Sequence, residues 1–468
     1  MKRLFYVRRL VLALCLAGIG ILTACHKKDN FLAQKPDTNL VVPSTLMDFQ
    51  ALLDNTAVFN LTPVLGELSA DNFYLTYNFW TGLDIVEQNA YNWAPSIYGG
   101  QRQVDDWNIP YKQVFYANVV LDGLPGIKTD SSNFAQWNTL DGTALFSRAY
   151  AFYSIAQLFA PVYDSATANT DLGIPLRLHS DINAPSARST LQETYTQIIS
   201  DLKQAVPLLP KMIPQTNRNR PAQPAAWAML ARVYLSMRAY DQASKYADMA
   251  LQSYSKLLTY DTLNAASSFP IRTPNYDEVI YQSNFLLYTR ALQGVVYPQC
   301  IIDSNLYRSY DSNDLRRVIF YKTTLAGSPY LKGSYAAGIL PFSGLATDEL
   351  YLIRAECYAR VGDTARAMSD LNTLLASRWK RNGSFIPLTA SSQQEAKQII
   401  LQERRKELAF RGIRWTDLRR LNKEGMKDTL TRNLSGTSYT LLPGDARYTL
   451  TIPPDVITLG GIAQNPRP

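Results

Sequence analysis

One stretch of the chain occurs twice, and that duplication constrains the fold more than any other feature. Slid back 124 positions, Asp348–Trp379 places Ala355, Tyr358, Ala367, Leu371 and Leu374 on Ala231, Tyr234, Ala243, Ala247 and Ala250. Each copy reads as two helices, with small residues where the helices must approach and aromatics beside them. Such a pair cannot bury its apolar face alone, so two copies predict more, stacked in a row. A third candidate begins at Arg148-Ala149-Tyr150-Ala151-Phe152, which parallels Arg354-Ala355-Glu356-Cys357-Tyr358, with its partner expected at Leu191–Leu209.

The earlier copy carries Trp227-x2-Leu230-Ala231-x2-Tyr234, which resembles the opening of a tetratricopeptide helix pair. Arg354 departs from that pattern, which expects Leu there. Further helical periodicity runs over Thr45–Leu53, Ile109–Leu124, Ala144–Phe159, 393–410 and Trp415–Leu421. Two long segments, 60–110 and 259–345, are irregular and punctuated by Pro and Gly, with Glu278-Val279-Ile280-Tyr281 a possible short strand. The end of the chain, from Tyr448 through Pro454 to Pro466, reads as extended. The expected fold is mainly α: a helical-repeat scaffold of about four pairs with irregular insertions and a few short strands, forming one interleaved domain over residues 46–468.

Residues 1–24 read as a targeting signal. Lys2, Arg3, Arg8 and Arg9 precede an apolar run, Leu10–Leu22, shorter than the ~20 residues that span a bilayer. Leu22-Thr23-Ala24-Cys25 resembles the bacterial lipobox, which predicts lipidation at Cys25 and a tether over residues 25–45. Two or more acyl chains hold a protein on a membrane firmly where one does not. Removing the four leader cations takes the net charge from +8 to +4, too dispersed for a nucleic-acid partner. Beyond the leader only Cys300 and Cys357 remain, where a disulfide is possible but a buried thiol is the simpler reading of Cys357.

Taken in order along the chain, these features resemble the SusD/RagB family of outer-membrane nutrient-binding lipoproteins. The resemblance rests on Cys25; Glu67-Leu68-Ser69-Ala70-Asp71-Asn72; Arg148-Ala149-Tyr150 leading to Gly173-Ile174-Pro175-Leu176; Glu349 to Glu356; and Glu403-Arg404-Arg405-Lys406-Glu407-Leu408-Ala409-Phe410 continuing to Arg420. Ile452-Pro453 and Gln464-Asn465-Pro466 also look like that family's end. The resemblance implies four tetratricopeptide-type units, a place on the outer face of the outer membrane, and a SusC-type TonB-dependent transporter as partner. It implies capture of oligosaccharide or peptide, without catalysis and without a cofactor.

No phosphate-binding loop, HExxH, GxSxG or CxxC motif occurs. His26 adjoins Cys25, and His179 stands alone in a loop. The block at 402–420 holds seven Arg or Lys residues interleaved with Glu403, Glu407 and Asp417, so pairs such as Glu407–Arg411 suggest a structural helix with an exposed charged face over buried Trp415 and Leu418. Asp303-Ser304-Asn305 and Asp311–Asp314 lack calcium-loop spacing and read as solvated polar loops. The binding expectation falls on the aromatics of 71–107 and 276–310. Sugars stack apolar faces on flat rings and ring them with polar partners. Asp71, Asn72, Tyr74, Tyr77, Trp80, Trp93 and Tyr98 offer that mix in one segment, and Asn284, Tyr288, Arg290, Tyr307 and Arg308 in the other. Two other functions fit the residues less well: a periplasm-facing tetratricopeptide scaffold holding a partner protein, and a glycoside hydrolase whose paired acids no motif marks.

Overall fold

The computed structural model describes residues 43–271, 277–333, 335–336 and 338–467. The signal segment, Cys25 and nearly all of the expected tether lie outside them. The chain divides after Ser44, and the helices and strands described below belong to the unit Thr45–Pro468.

Among the described residues the helices of eight residues or more are α1 Leu46–Leu53, α2 Asp105–Gly123, α3 Phe134–Phe159, α4 Leu191–Leu208, α5 Gln223–Ser236, α6 Tyr240–Ser253, α7 Thr347–Arg360, α8 Thr364–Ala376, α9 Gln393–Glu407 and α10 Arg414–Asn422. From α2 to α8 each packs on the next in chain order, and α9 returns against α7, giving the expected mainly helical stack. The duplicated positions carry it. Ala231, Ala243, Ala247 and Ala250 are fully buried, as are Ala355, Ala367, Leu371 and Leu374, while Tyr234 stacks flat on Tyr246 at 5.5 Å. Arg354, the departure from the repeat, binds both Asp370 oxygens at 2.8 Å and Asp248 at 2.7 Å, tying α7 to α8 and α6.

Local chemistry sets the ends. Thr45 with Asp48 and Thr190 with Glu193 form capping boxes on α1 and α4. Helix α7 opens with Asp348 and Glu349 and closes on Arg360, complementing its dipole. Helix α3 begins ten residues before the apolar run at Ala144, because its amphipathic first turns cover a small second core of Phe49, Leu53, Val120 and Leu140. The expected extended end is corrected in part: Pro454–Gly460 is helical, with Pro at its first position where no N–H is needed. Cys300 and Cys357 are both free and buried.

The irregular regions hold most of the strands. A four-stranded sheet contains β1 Phe73–Leu75, β2 Cys300–Ile302, β3 Tyr321–Thr323 and β4 Pro329–Leu331, in the order β1-β2-β4-β3. Leu61–Thr62 also pairs in parallel with Asn284–Phe285. The two insertions, far apart in sequence, thus form one body beside the helices.

Candidate functional site

The frame beneath the insertions is a buried ionic interior, and here the structure corrects the sequence reading of 402–420. Helix α9 stops at Glu407 and Phe410 takes a left-handed φ of 61°, so Glu407 and Arg411 never share a helix face. Glu407 accepts instead from Arg316 at 3.0 Å and Arg378 at 2.8 Å, while Arg411 donates to Asp348 at 2.9 Å. Arg316 and Arg378 have no exposed side-chain surface. Asp314, read as a loop acid, is buried and holds Arg316 through both oxygens at 2.9 and 2.7 Å. Arg420 grips Glu356 at 2.7 and 2.8 Å. Burial raises the Glu356 carboxyl, but Arg420, Arg360 and Arg404 outweigh it and bring it down to about 2. Carboxylate pairing offsets the cost of burying these charges, so the block is a lock between α7, α9, α10 and the second insertion.

Two carboxylates then fasten the insertions to each other. Buried Asp106 accepts from the backbone N–H groups of Val64 at 2.6 Å and Leu65 at 2.9 Å, and from the Tyr288 hydroxyl. Burial lifts its carboxyl to about 6 despite those donors. Glu87 accepts from the Thr289 hydroxyl at 2.6 Å and from the N–H groups of Arg290 and Ala291 at 2.8 and 3.1 Å.

On this base stands an exposed aromatic surface. Residues opposite one another in the four-stranded sheet share a face, and Tyr74, Ile301, Tyr330 and Lys322 form one such row. Tyr74 is 42% exposed while its strand neighbours Phe73 and Leu75 point inward. After β1, the helical turn Tyr77–Thr81, capped by Thr76, presents Tyr77, 45% exposed, with the Trp80 ring at 5.9 Å. The indole N–H of Trp80 donates to Gln88 O at 3.1 Å, which fixes the ring. Arg290 closes the margin from the second insertion, donating to Gly82 O at 2.5 Å and lying 5.5 Å over Tyr297, itself 6.1 Å from Phe79.

The structure divides the expected binding residues. Tyr74, Tyr77, Trp80 and Arg290 come together on this surface. Trp93 and Tyr98 are buried, with the Trp93 indole bonded to Ser69 O at 2.9 Å and the Tyr98 hydroxyl to Thr451 O. Asn72 is fully buried between Glu67 and Arg405, and Asp71 is held by Arg414 at 2.6 and 2.8 Å. Burial opposes ionisation of Asp71, yet Arg414 and Arg405 hold its carboxyl well below the usual range. Asn284 lies in its strand pair and Tyr288 is engaged by Asp106. Tyr307 and Arg308 sit on the short helix Ser304–Arg308, the first beneath Arg317 at 4.7 Å, the second exposed and bonded to Asn305 at 2.8 Å. Sequence reasoning missed Tyr330 and Lys322, which only the strand register brings beside Tyr74. His179 is an exposed loop residue 3.1 Å from Asp122. Among the described residues no group of three or more His, Cys, Asp or Glu side chains is placed to hold a metal ion.

Comparison with known proteins fits this architecture. A family model described as starch-binding and associating with the outer membrane matches residues 30–235, and the SusD family model matches residues 347–442. The two models cover 206 and 96 of the 468 residues, one at each end of the helical stack. The chain belongs to the SusD/RagB family. Its similarity to SusD-like protein P2 of Formosa agariphila is 26% identity over 372 residues, covering 67% of this chain and 71% of that one. SusD-like protein P25 of the same organism is 23% identical over 289 residues, 57% of this chain and 50% of the relative. A SusD superfamily protein from Bacteroides thetaiotaomicron superposes with a TM-score of 0.73 at 22% identity, covering 90% of this chain and 100% of that one. A laminarin-binding SusD-like protein gives a TM-score of 0.64 at 18% identity, covering 90% and 98%. The SusD fold is therefore that of this chain. Among the described residues no helix is long and apolar enough to cross a membrane.

Proposed function

We propose that the protein is an outer-membrane lipoprotein, anchored through Cys25 and facing outward, that captures a glycan and passes it to a SusC-type TonB-dependent transporter. Its capture surface is the row Tyr74–Ile301–Tyr330–Lys322 together with Tyr77, Trp80 and Arg290. The observation that carries the reading is the convergence of both insertions on one surface, where Tyr74 and Tyr77 are exposed, Tyr330 is partly exposed beside them in the sheet row, and the partly exposed Trp80 ring is fixed through its indole N–H. Ring faces stack on the C–H faces of a sugar, and the hydroxyls of Tyr74 and Tyr330 with Arg290 supply polar partners at the rim. Binding would use no bond-making step. The family description as starch-binding and the laminarin-binding neighbour support a glycan over a peptide.

Calorimetric titration of the purified protein with malto- and laminari-oligosaccharides tests the binding step. The expected result is saturable binding to a glycan without product, abolished or strongly weakened in Trp80→Ala. Binding to no glycan, or turnover of one, would overturn it. Release of Cys25→Ser from the membrane fraction, and protease sensitivity of the wild type on intact cells, test the anchor and the face.

A further inference from the structure

A capacious cleft, lined by none of the residues of the aromatic surface, has a volume of about 700 Å³, within the ~300–1,000 Å³ of small-molecule sites. Its floor is one stripe of α2, where Trp107, Tyr111 and Phe115 recur every four residues, the first two rings 4.8 Å apart. Two loops form the walls, and each is fastened by bonds within itself. The first, 177–186, is held from within by Arg177, whose guanidinium donates to Ala184 O at 2.8 Å, to the Ser186 hydroxyl and to Asp181 O. The second carries the helix Pro454–Gly460 and is closed at its base by reciprocal bonds between the Ile452 backbone and the Gln464 amide at 2.7 and 2.9 Å. The Tyr111 hydroxyl bonds Pro175 O at 2.9 Å, fixing the floor to the first wall.

Such a built cleft leaves two things unsatisfied. Each wall holds an apolar side chain in water: Ile182 is 74% exposed and Leu459 87%. The charge around the cleft is also uncompensated. Arg177 lines it, and Arg188 joins the walls by donating to Gly173 O at 2.8 Å and Ala463 O at 3.0 Å. Both arginines are partnered by carbonyls and a hydroxyl, and among the described residues neither forms an ion pair with a carboxylate. Among the described residues no acidic side chain lines the cleft. Asp122 is turned to His179 and Ser180, while Asp181 and Asp455 cap turns in their own loops. An apolar body would cover the exposed side chains and the ring faces, and one negative charge would complement the arginines.

The geometry points to a second binding site, distinct from the aromatic surface, for an anionic amphiphile: a monocarboxylate with an apolar aromatic or aliphatic body. Calorimetry with 2-naphthoate and with decanoate, each beside its uncharged alcohol and its protonated amine, reads the class directly. The expected result is that at least one carboxylate binds, at least tenfold tighter than its alcohol and amine. Ile182→Glu and Leu459→Glu change side chains that are mostly in solvent, so their melting curves should match the wild type. Each should weaken carboxylate binding at least tenfold and leave glycan binding unchanged. Failure of both carboxylates to bind would overturn the site, as would equal binding of the alcohols or amines. Wild-type affinity in both variants would do the same, and so would a self-association that both variants abolish, which would make the cleft an interface between copies of this chain.

Discussion

Two segments of the first insertion each carry two Tyr, one Trp and one Asn and have opposite fates. In 73–82, Tyr74, Tyr77 and Trp80 are turned outward on a strand face and a single helical turn. In 91–98, Tyr91, Trp93 and Tyr98 are buried. Over Tyr91 and Trp93 the cover is a guanidinium from a distant hairpin, Leu430–Leu434 with Thr437–Leu441, while Tyr98 is held by Thr451 O. Arg432 lies 4.0 Å over Tyr91 and 5.2 Å over Trp93, and it donates to Phe73 O and Ala70 O. One aromatic cluster is therefore a socket closed by a cation. The other has no such plug among the described residues: Tyr74 and Tyr77 stay exposed, and Trp80 is only partly buried. Ring content marks neither role; what closes over the rings does.

The largest effect that would break this contrast comes from the socket. Trp93→Ala removes a side chain 1% exposed together with its bond to Ser69, and such a truncation costs about 3–5 kcal/mol. Denaturant unfolding should report that loss, and glycan affinity measured on the remaining folded protein should be near normal. Next comes the junction just before the two segments, where Glu67 accepts from Asn72 at 3.2 Å and from Gly412 N–H at 3.0 Å. Gly412 has φ +75°, a backbone suited to glycine. Burial pushes the Glu67 carboxyl up to about 7 against both donors. A carboxyl raised in the folded state binds its proton more readily there than in the unfolded chain. Its share of stability is therefore fully present below the unfolded value and lost as pH rises through about 7, a change of about 3 kcal/mol. Melting temperatures from pH 5 to 8 should fall with rising pH in the wild type and fall less steeply in Glu67→Gln. Equal slopes would show that Glu67 does not titrate there.

Much of the frame was legible because its signals are local. The alanines of α5 and α6 and their counterparts in α7 and α8 mark helix contacts within about thirty residues, so periodicity finds them. Asp71 and Asn72 looked like sugar-binding polar groups because their partners, Arg414 and Arg405, lie more than three hundred residues away. The same distance hid Arg432, although Ser435 and Gly436, both at positive φ, form the two-residue turn that a hairpin requires. Tyr330 was hidden for another reason. Alternation within a three-residue strand is too short to read, and only pairing through Ile301 puts it beside Tyr74.

The open segment yields smaller effects, read in binding rather than stability. Trp80→Ala should leave unfolding within about 1 kcal/mol of the wild type, since its ring is only partly buried, yet weaken glycan affinity at least tenfold, as expected of a fixed aromatic anchor worth about 2 kcal/mol. A melting shift as large as that of Trp93→Ala would place Trp80 in the socket class instead.

The smallest prediction concerns the sheet face. Tyr74 and Tyr330 flank Ile301 in one cross-strand row, two strands apart, so neither supports the other directly. Substituting exposed Tyr74 by Ala should change stability by no more than about 0.5 kcal/mol, and substituting half-buried Tyr330 by Ala should change it by about 1 kcal/mol. If a chain of sugar rings lies along the row, each tyrosine contributes one stacking face, and each substitution should cost about 1 kcal/mol of binding, near fivefold. Because Ile301 separates the two side chains, the losses should add in the double variant within about 0.5 kcal/mol. Additive losses would extend the open surface from the helical turn across the sheet. A loss in Tyr74→Ala alone would confine the ligand to the first insertion, and the second would then serve as its support.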